Sequence, residues 1–174
     1  MKQRRYKITD DSGLLALLDP VGYHSFVDSD WTIDQLIQHF KSAIHEGHLA
    51  LWGTGREDTW RVDVSFERST VAGYREFNTL LRASSDHLLL TNYEALTMAV
   101  ECGDVKLPEP HQQDLLIPVL SGLYLCRVVQ RFDPESYNPT LRDERTDFLI
   151  ELTQIKDAES VNVEIALGIP WSNF

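Results

Sequence analysis

The sequence predicts an α+β fold in which a mostly antiparallel sheet, or a partly closed barrel, of six to eight strands packs against two main helices. Segments 32–46 and 92–102 have helical periodicity and capping signals. Several other short runs are apolar or alternating, and turn residues separate them at intervals of about ten residues. Because these runs rarely alternate with helices, a βαβ arrangement is not expected.

The length of 174 residues fits one globular domain spanning 1–174. A chain of this length can bury a sizeable core, so it needs no disulfide or metal to fold. Cys102 and Cys126 form no CxxC motif, and we expect both to be reduced thiols. Residues 1–7 are basic, and we expect this N-terminus to fray.

The first apolar run, residues 14–18, fits a buried strand or a single helical turn, because periodicity cannot separate the two in so short a segment. The stronger signal is the helix at 32–46. Thr32 and Gln35 have capping-box spacing at its start, and Gly47 stands where a C′ glycine belongs. The apolar side chains that recur at helical spacing are Ile33, Leu36, Ile37, Phe40, Ala43 and Ile44.

Residues 47–67 predict two strands joined by a glycine-bearing turn, that is, a hairpin linking the first helix to the sheet. The first arm is apolar nearly throughout, and the second, 60–67, alternates between apolar and polar residues. Gly53 and Gly55 allow positive φ in the connection. A phosphate-binding loop is a less favoured interpretation. Such loops have a third glycine, or a Lys-Ser or Lys-Thr pair, and are followed by a helix, and the sequence shows none of these features here.

The second half of the chain predicts mainly strands. Residues 74–82 suit a helix face or a strand face, and the turn signals around them favour a strand. Thr91 and Glu94 have capping-box spacing and predict the start of the helix at 92–102. The segment 133–147 has the composition of a polar loop. The further predicted strands are 87–91, 115–119, 122–132, 148–155 and 158–167.

The charge distribution indicates which classes of partner the protein can bind. The net charge is −11, and beyond residue 7 the chain carries 12 basic and 27 acidic residues, or −15. Such an acidic body disfavours nucleic acid, because phosphate contacts need clustered lysine and arginine. It favours solubility and, if there is a protein partner, a basic one. With no apolar segment typical of a signal peptide or membrane span, we expect a cytoplasmic, bacterial protein that does not bind membranes.

No catalytic, metal or cofactor motif stands out, and we lean towards a protein that is not an enzyme. His45 and His48 have a spacing that can hold a metal on one helix, but Gly47 interrupts that helix. No GxSxG motif occurs, and both cysteines fall in elements predicted to be buried. The sequence therefore predicts no metal ion and no cofactor.

Two groups of residues are the candidate binding sites. Large aromatic residues at loop edges are enriched at recognition surfaces, although they also close the ends of sheet cores. The first group is the rim of the predicted hairpin: Trp52, Arg56, Glu57, Asp58 and Trp60. The second precedes the first helix: Asp28, Asp30 and Trp31.

These observations favour a non-enzymatic protein-binding module, such as an immunity or inhibitor protein against a basic partner. Two alternatives remain open. A small-ligand binder or enzyme whose site forms only in the fold predicts a cavity lined by two or more of a set comprising His24, Asp28, Asp30, His48 and Trp52. A self-associating structural module, or homo-oligomer, predicts an exposed strand edge or a docked C-terminal tail.

Overall fold

The computed structural model describes residues 3–138 and 146–174. Within these ranges two α-helices and nine strands form a mixed α+β fold, which confirms the predicted class. The helices are α1, Ile33–His45, and α2, Tyr93–Glu101. The strands are β1 Arg4–Asp10, β2 Leu14–Leu18, β3 Leu49–Gly53, β4 Asp58–Ser65, β5 Arg75–Ala83, β6 His87–Asn92, β7 Leu116–Pro118, β8 Gly122–Gln130 and β9 Phe148–Ile155.

The strands form two sheets that do not close into a barrel. The five-stranded sheet has the order β1-β4-β9-β8-β5, and the four-stranded sheet has the order β3-β2-β6-β7. Every pairing is antiparallel except that of β4 with β9. The prediction of mostly antiparallel pairing is therefore confirmed.

The protein has three layers, because the four-stranded sheet is covered on both faces. In β2, Leu15 and Leu17 face the core between the two sheets, whereas Leu14, Ala16 and Leu18 face the core beneath the helices. A strand buried on both faces reads as a continuous apolar run rather than an alternating one. This explains why the β2 segment, Leu-Leu-Ala-Leu-Leu, is a strand and not a helical turn.

Local signals predicted α1 correctly. The Thr32 side chain accepts a hydrogen bond from the backbone of Gln35, whose side chain bonds back to the Thr32 backbone. Gly47 follows the helix with a φ of 77°. The second helix is capped differently from the prediction, because Thr91 belongs to β6 and the Asn92 side chain accepts from the Ala95 N–H.

The predicted hairpin at 47–67 is wrong. Its first arm, β3, pairs with β2, whereas its second arm, β4, pairs with β1 and β9 in the other sheet. The other edge of β3 meets the C-terminal segment, where the Gly53 N–H donates to the Pro170 carbonyl at 2.9 Å. Alternation along a strand shows which side chains share a face but not which strand lies beside it.

Two further segments differ from the prediction. The N-terminus is not frayed from Arg4 onward, because it forms β1 at one edge of the five-stranded sheet. Residues 158–167 form no strand, only a 3-10 turn at Ala158–Ser160 followed by irregular backbone. Residues 75–82 of the segment 74–82 fall in β5, which confirms the favoured strand. Part of the predicted loop at 133–147 lies outside the described residues.

The outer face of the five-stranded sheet buries an ion-pair network. Arg127 Nη1 donates to Glu151 Oε2 at 2.8 Å, and Arg127 Nη2 donates to Glu76 Oε2 at 2.6 Å. Burial alone would raise the pKa of Glu151, but hydrogen bonds from Ser69 and Arg127 hold it below the usual range. On this face Arg127 and Glu151 are therefore buried, whereas Glu76 stays partly exposed.

No helix within the described residues is long and apolar enough to cross a membrane.

Candidate functional site

The loop from residue 19 to 32 joins β2 to α1 and is anchored at three places. The buried Asp19 carboxylate accepts hydrogen bonds from the backbone N–H groups of Val21 and Ser84, both at 3.2 Å. Farther along, the Val27 N–H donates to the Val100 carbonyl of α2 at 2.9 Å. Thr32 then caps α1. These contacts hold the loop across the ends of both helices.

Exposed carboxylates lie on this loop, in the first turn of α1 and around the end of α2. The Phe26 ring lies beside Gly103, so the loop adjoins the chain that leaves α2. Among the residues that the structure describes, none of these carboxylates forms an ion pair. We call this surface the acidic face, and its members are Asp28, Asp30, Asp34, Glu101 and Asp104.

The end of α2 strengthens the negative potential of the acidic face. The C-terminal carbonyls of a helix carry a partial negative charge, and acidic residues near them are unfavourable for the helix itself. Glu101 is nevertheless the last residue of α2, and no basic residue lies in its last turn. No basic side chain in the last turn of α2 neutralises this negative charge, so the acidic face should attract a positively charged group.

Apolar side chains accompany these charges. Phe26 is 39% exposed, and Met98 on α2 is 55% exposed. Ile33, at the start of α1, is 48% exposed. Trp31 is half-buried and packs against the core beneath the helices. Charged residues beside accessible apolar groups are the composition of a protein-binding surface.

Arg56, Glu57 and Asp58 lie elsewhere, in and after the loop that joins the two sheets. Arg56 Nη1 donates to the Tyr137 carbonyl at 3.1 Å, and Glu57 is exposed. Asp58 begins β4, opposite Asp10. This loop borders an open cavity of about 650 Å³, whose wall also includes the last four residues of the chain. It adjoins the start of α2, where Ser12 donates to Glu94, whereas the acidic face lies at the other end of that helix.

Trp52 and Trp60 lie in the core and not on a rim. Both are fully buried. Trp60 stacks on Phe132 with ring centroids 4.9 Å apart, and Trp52 contacts Phe77 and Phe148 at its ring edges. Their position in the sequence next to a loop does not decide exposure, because the two sheets enclose both rings. Neither side chain can contact a partner in this fold.

His24 and His48 line a common cavity of about 220 Å³. The ligand-binding alternative predicted from the sequence named both residues, together with three that do not line this cavity. The structure adds Tyr23, His39 and Glu46, which sequence reasoning missed. Glu46 follows the last residue of α1 in helical conformation, seven residues after His39, and so the two share a face. This helical spacing was the signal by which the sequence could have indicated His39 and Glu46. Asp28, Asp30 and Trp52 are not in the lining.

The arrangement near this cavity does not resemble a nucleophilic triad. Ser84 Oγ donates to Asp19 Oδ2 at 2.5 Å, so the serine is paired with the carboxylate rather than with an imidazole. Both cysteines are free, and burial raises the pKa of Cys126 to about 12, which keeps its thiol protonated. Within the described residues, no group of three or more His, Cys, Asp or Glu is arranged to hold a metal ion.

Comparison with known proteins identifies similar folds. No family model matches the chain, and a search of curated proteins finds no match. The structure of a protein named crocagin biosynthetic gene J is 15% identical, with a TM-score of 0.58 over 90% of this chain and 100% of that one. ComJ from Bacillus subtilis, an inhibitor of the DNA degrading activity of NucA, is 8% identical, with a TM-score of 0.52 over 87% of this chain and 96% of its own. At these identities the likeness shows a shared fold.

Proposed function

We propose that this protein is a non-enzymatic, inhibitor-type binding module whose acidic face contacts a basic surface of a protein partner. The observation that carries the proposal is the set of five exposed carboxylates, without ion pairs among the described residues, beside the accessible Phe26 and Met98. Charge complementarity accelerates association, and buried aromatic anchors supply much of the binding energy. The acidic face offers the charge, and the neighbouring Phe26 offers the aromatic side chain.

The fold shared with ComJ supports the inhibitor class. It also suggests a physical reason for the sign of the charge. An enzyme that acts on nucleic acid must be basic around its substrate, because it neutralises phosphates. We therefore propose a partner of this kind, met in the cytoplasm, where the two free thiols would stay reduced.

The experiment isolates the partner and measures how its association depends on charge. The protein serves as bait for basic proteins of its own source, and the association rate of the recovered partner is measured from low to high salt. The first variant neutralises the acidic face by replacing each Asp with Asn and each Glu with Gln. We expect its association rate at low salt to fall by about tenfold or more.

A matched control removes five exposed carboxylates elsewhere and so changes the net charge equally. It carries Glu67→Gln, Asp114→Asn, Glu135→Gln, Glu159→Gln and Glu164→Gln. If the acidic face is the binding surface, this control keeps most of the wild-type rate. Equal losses in the two variants, or an association that salt does not change, would contradict the proposal.

Self-association stays a prediction, which a measurement of molecular mass in solution tests. A stable monomer across micromolar concentrations would remove it and leave the binding of a different protein as the function to pursue.

A further inference from the structure

The cavity between the loop after β2 and the second half of α1 has the features of a built site. We call it the histidine cavity, with a volume of about 220 Å³. Its polar lining consists of Tyr23, His24, His39, Ser42, Glu46 and His48. The face of α1 that carries His39, Ser42 and Glu46 supplies one wall, and the chain around Tyr23 supplies the other.

Three buried polar atoms around this cavity have no hydrogen-bond partner among the described residues. They are the Tyr23 hydroxyl, His39 Nε2 and His48 Nδ1. Tyr23 is only 7% exposed, so its hydroxyl is buried in the protein. His48 Nδ1 lies 3.4 Å from Asp19 Oδ2, within ion-pair range but without the alignment of a hydrogen bond. Buried polar atoms are rarely left unpaired, so three around one cavity are a feature typical of a polar binding site.

Close packing fixes the wall that holds two of these groups. A Cβ atom on Gly22 would overlap both the His48 imidazole and the Asp19 carboxylate. Tyr23 and His39 are in ring contact, with centroids 5.6 Å apart. The backbone of residue 22 therefore has to approach His48 without a side chain, and the three unpaired atoms are held in place by packed neighbours.

The lining is suited to accept hydrogen bonds from a cation. Burial lowers the pKa of His39, as does the nearby charge of His24, and together they outweigh the raising effects of a hydrogen bond to the His24 backbone and of Glu46, so the neutral imidazole is favoured. A neutral imidazole has one ring nitrogen that accepts, and burial raises the pKa of Tyr23, which keeps a hydroxyl there. Glu46 contributes a carboxylate, and the lining residues that the structure describes include no lysine or arginine.

We propose that the histidine cavity binds an alkylammonium or guanidinium group, presented by a lysine or arginine side chain of the protein partner. The cation donates hydrogen bonds to the unpaired imidazole and hydroxyl atoms, Glu46 neutralises its charge, and the Tyr23 ring provides an aromatic face. This inference rests on the proposed function and extends it, because it gives the basic partner a specific anchor at the C-terminal half of α1 in addition to the acidic face.

The test is an NMR titration of the full chain with n-butylammonium and n-butylguanidinium, which reproduce the two side-chain heads. The imidazole signals of His39 and His48 report on the cavity, and those of His87 and His111 serve as internal controls. We expect saturable shifts at the first pair and none at the two controls. Glu46→Gln should weaken binding by about tenfold, since it removes a charge-assisted hydrogen bond.

Tyr23→Phe keeps the ring and removes only the hydroxyl, so it should weaken binding without unfolding the chain. Glu159→Gln is the matched control for Glu46→Gln, because it removes an exposed carboxylate far from the lining and should leave the affinity unchanged. Neutral n-butanol has the same alkyl chain without the charge, and we expect it not to produce saturable shifts.

Several results would overturn the inference. Equal affinity for n-butanol would make the cavity merely apolar, and an unchanged affinity in Glu46→Gln would exclude charge recognition. Tight binding of Zn²⁺ with loss of amine binding would make it a metal site. The two proposals also fail separately, because partner binding that depends on the acidic face but not on Tyr23 or Glu46 removes the anchor alone. Amine binding that does not compete with the partner would assign the cavity to a free amine and overturn the side-chain anchor.

Discussion

The indole nitrogen of Trp60 donates a hydrogen bond to Asp10 Oδ2 across 3.2 Å, and both residues are fully buried. The same carboxylate oxygen accepts from Thr54 Oγ1 at 2.9 Å. The other oxygen accepts from the backbone N–H groups of Ser12 and Leu14. One buried carboxylate thus joins β1, the turn before β2 and the loop between the two sheets.

Replacing Asp10 with alanine should destabilise the protein strongly. The change leaves the Trp60 indole N–H and the Leu14 backbone N–H buried without their acceptor, and each such donor costs about 1–3 kcal/mol. We expect the free energy of unfolding to fall by roughly 3–5 kcal/mol in urea denaturation. Asp11→Ala is the matched control, since Asp11 is exposed and its loss should cost less than about 0.5 kcal/mol. Similar losses for the two variants would show that the buried carboxylate is not the cause.

Replacing Trp60 with alanine removes a ring that stacks on Phe132 and meets Phe148 edge-on. The cavity left between the sheets should lower the free energy of unfolding by roughly 3–5 kcal/mol. Trp31→Ala should cost less, because Trp31 is only half-buried at the edge of the helical core. Chemical denaturation of both variants provides the comparison. A Trp60→Ala protein as stable as the wild type would contradict the burial of this ring.

The local elements were predictable from the sequence, whereas the contacts between distant segments were not. The cap and periodicity of α1 lie within fifteen residues, and the apolar run of β9 is bounded by polar segments, so both were placed correctly. The partner of β4 was not predictable, because its parallel neighbour β9 begins more than eighty residues later. Residues 158–167 alternate like a strand, yet this segment only touches β5, where the Ala166 N–H donates to the Asn78 carbonyl.

The same distinction holds for the candidate site. Asp28, Asp30 and Trp31 are consecutive enough to stand out as a polar and aromatic cluster. Glu101 and Asp104 join them only because the Val27–Val100 hydrogen bond brings α2 to the loop. Likewise, the exposure of the Trp52 side chain depends on the sheet to which its strand belongs and not on the glycines that follow it. Sequence proximity to a loop is therefore a weak guide to which aromatic side chains are accessible.

The buried carboxylates Asp63 and Glu151 should make the protein sensitive to acid. Burial alone would raise the pKa of Asp63, but hydrogen bonds from Arg5, Thr146 and Gln3 and the charge of Arg5 hold it below its usual value, as Arg127 and Ser69 do for Glu151. A carboxyl with a lowered pKa in the folded state adds stability that is complete above its unfolded-state pKa. That stability is lost as the pH falls, so we expect the free energy of unfolding to decline below about pH 4.5.

The variant Glu151→Gln tests the cause of this decline. At pH 7 it should cost roughly 3–5 kcal/mol, because the buried Arg127 loses its ion pair with the buried Glu151 carboxylate and keeps only the one with the partly exposed Glu76. Between pH 5 and pH 3 its stability should then fall less steeply than that of the wild type, since one of the titrating groups is gone. Glu164→Gln, at an exposed position, should change neither quantity. Parallel pH profiles for all three proteins would show that Glu151 does not contribute.

The C-terminal segment should detach when Gly53 is replaced by alanine. The Gly53 N–H donates to the Pro170 carbonyl, and a Cβ atom at Gly53 would overlap the backbone carbonyl oxygen of Trp171. Because that obstacle is backbone and not a flexible side chain, the segment has to move. Trp171 would then lose its contact with Arg75, whose guanidinium carbon lies 4.5 Å from the ring centre, and its edge contact with Phe77.

Limited digestion with chymotrypsin, followed by mass spectrometry, measures this detachment as faster cleavage after Trp171 in Gly53→Ala than in the wild type. Gly168→Ala is the control, because a Cβ atom there meets nothing within 4 Å and its φ lies outside the left-handed region. The control should be cleaved at the wild-type rate. Equal rates for all three proteins would mean that the segment tolerates a side chain at Gly53, and that the bond to Pro170 is not what closes the edge of β3.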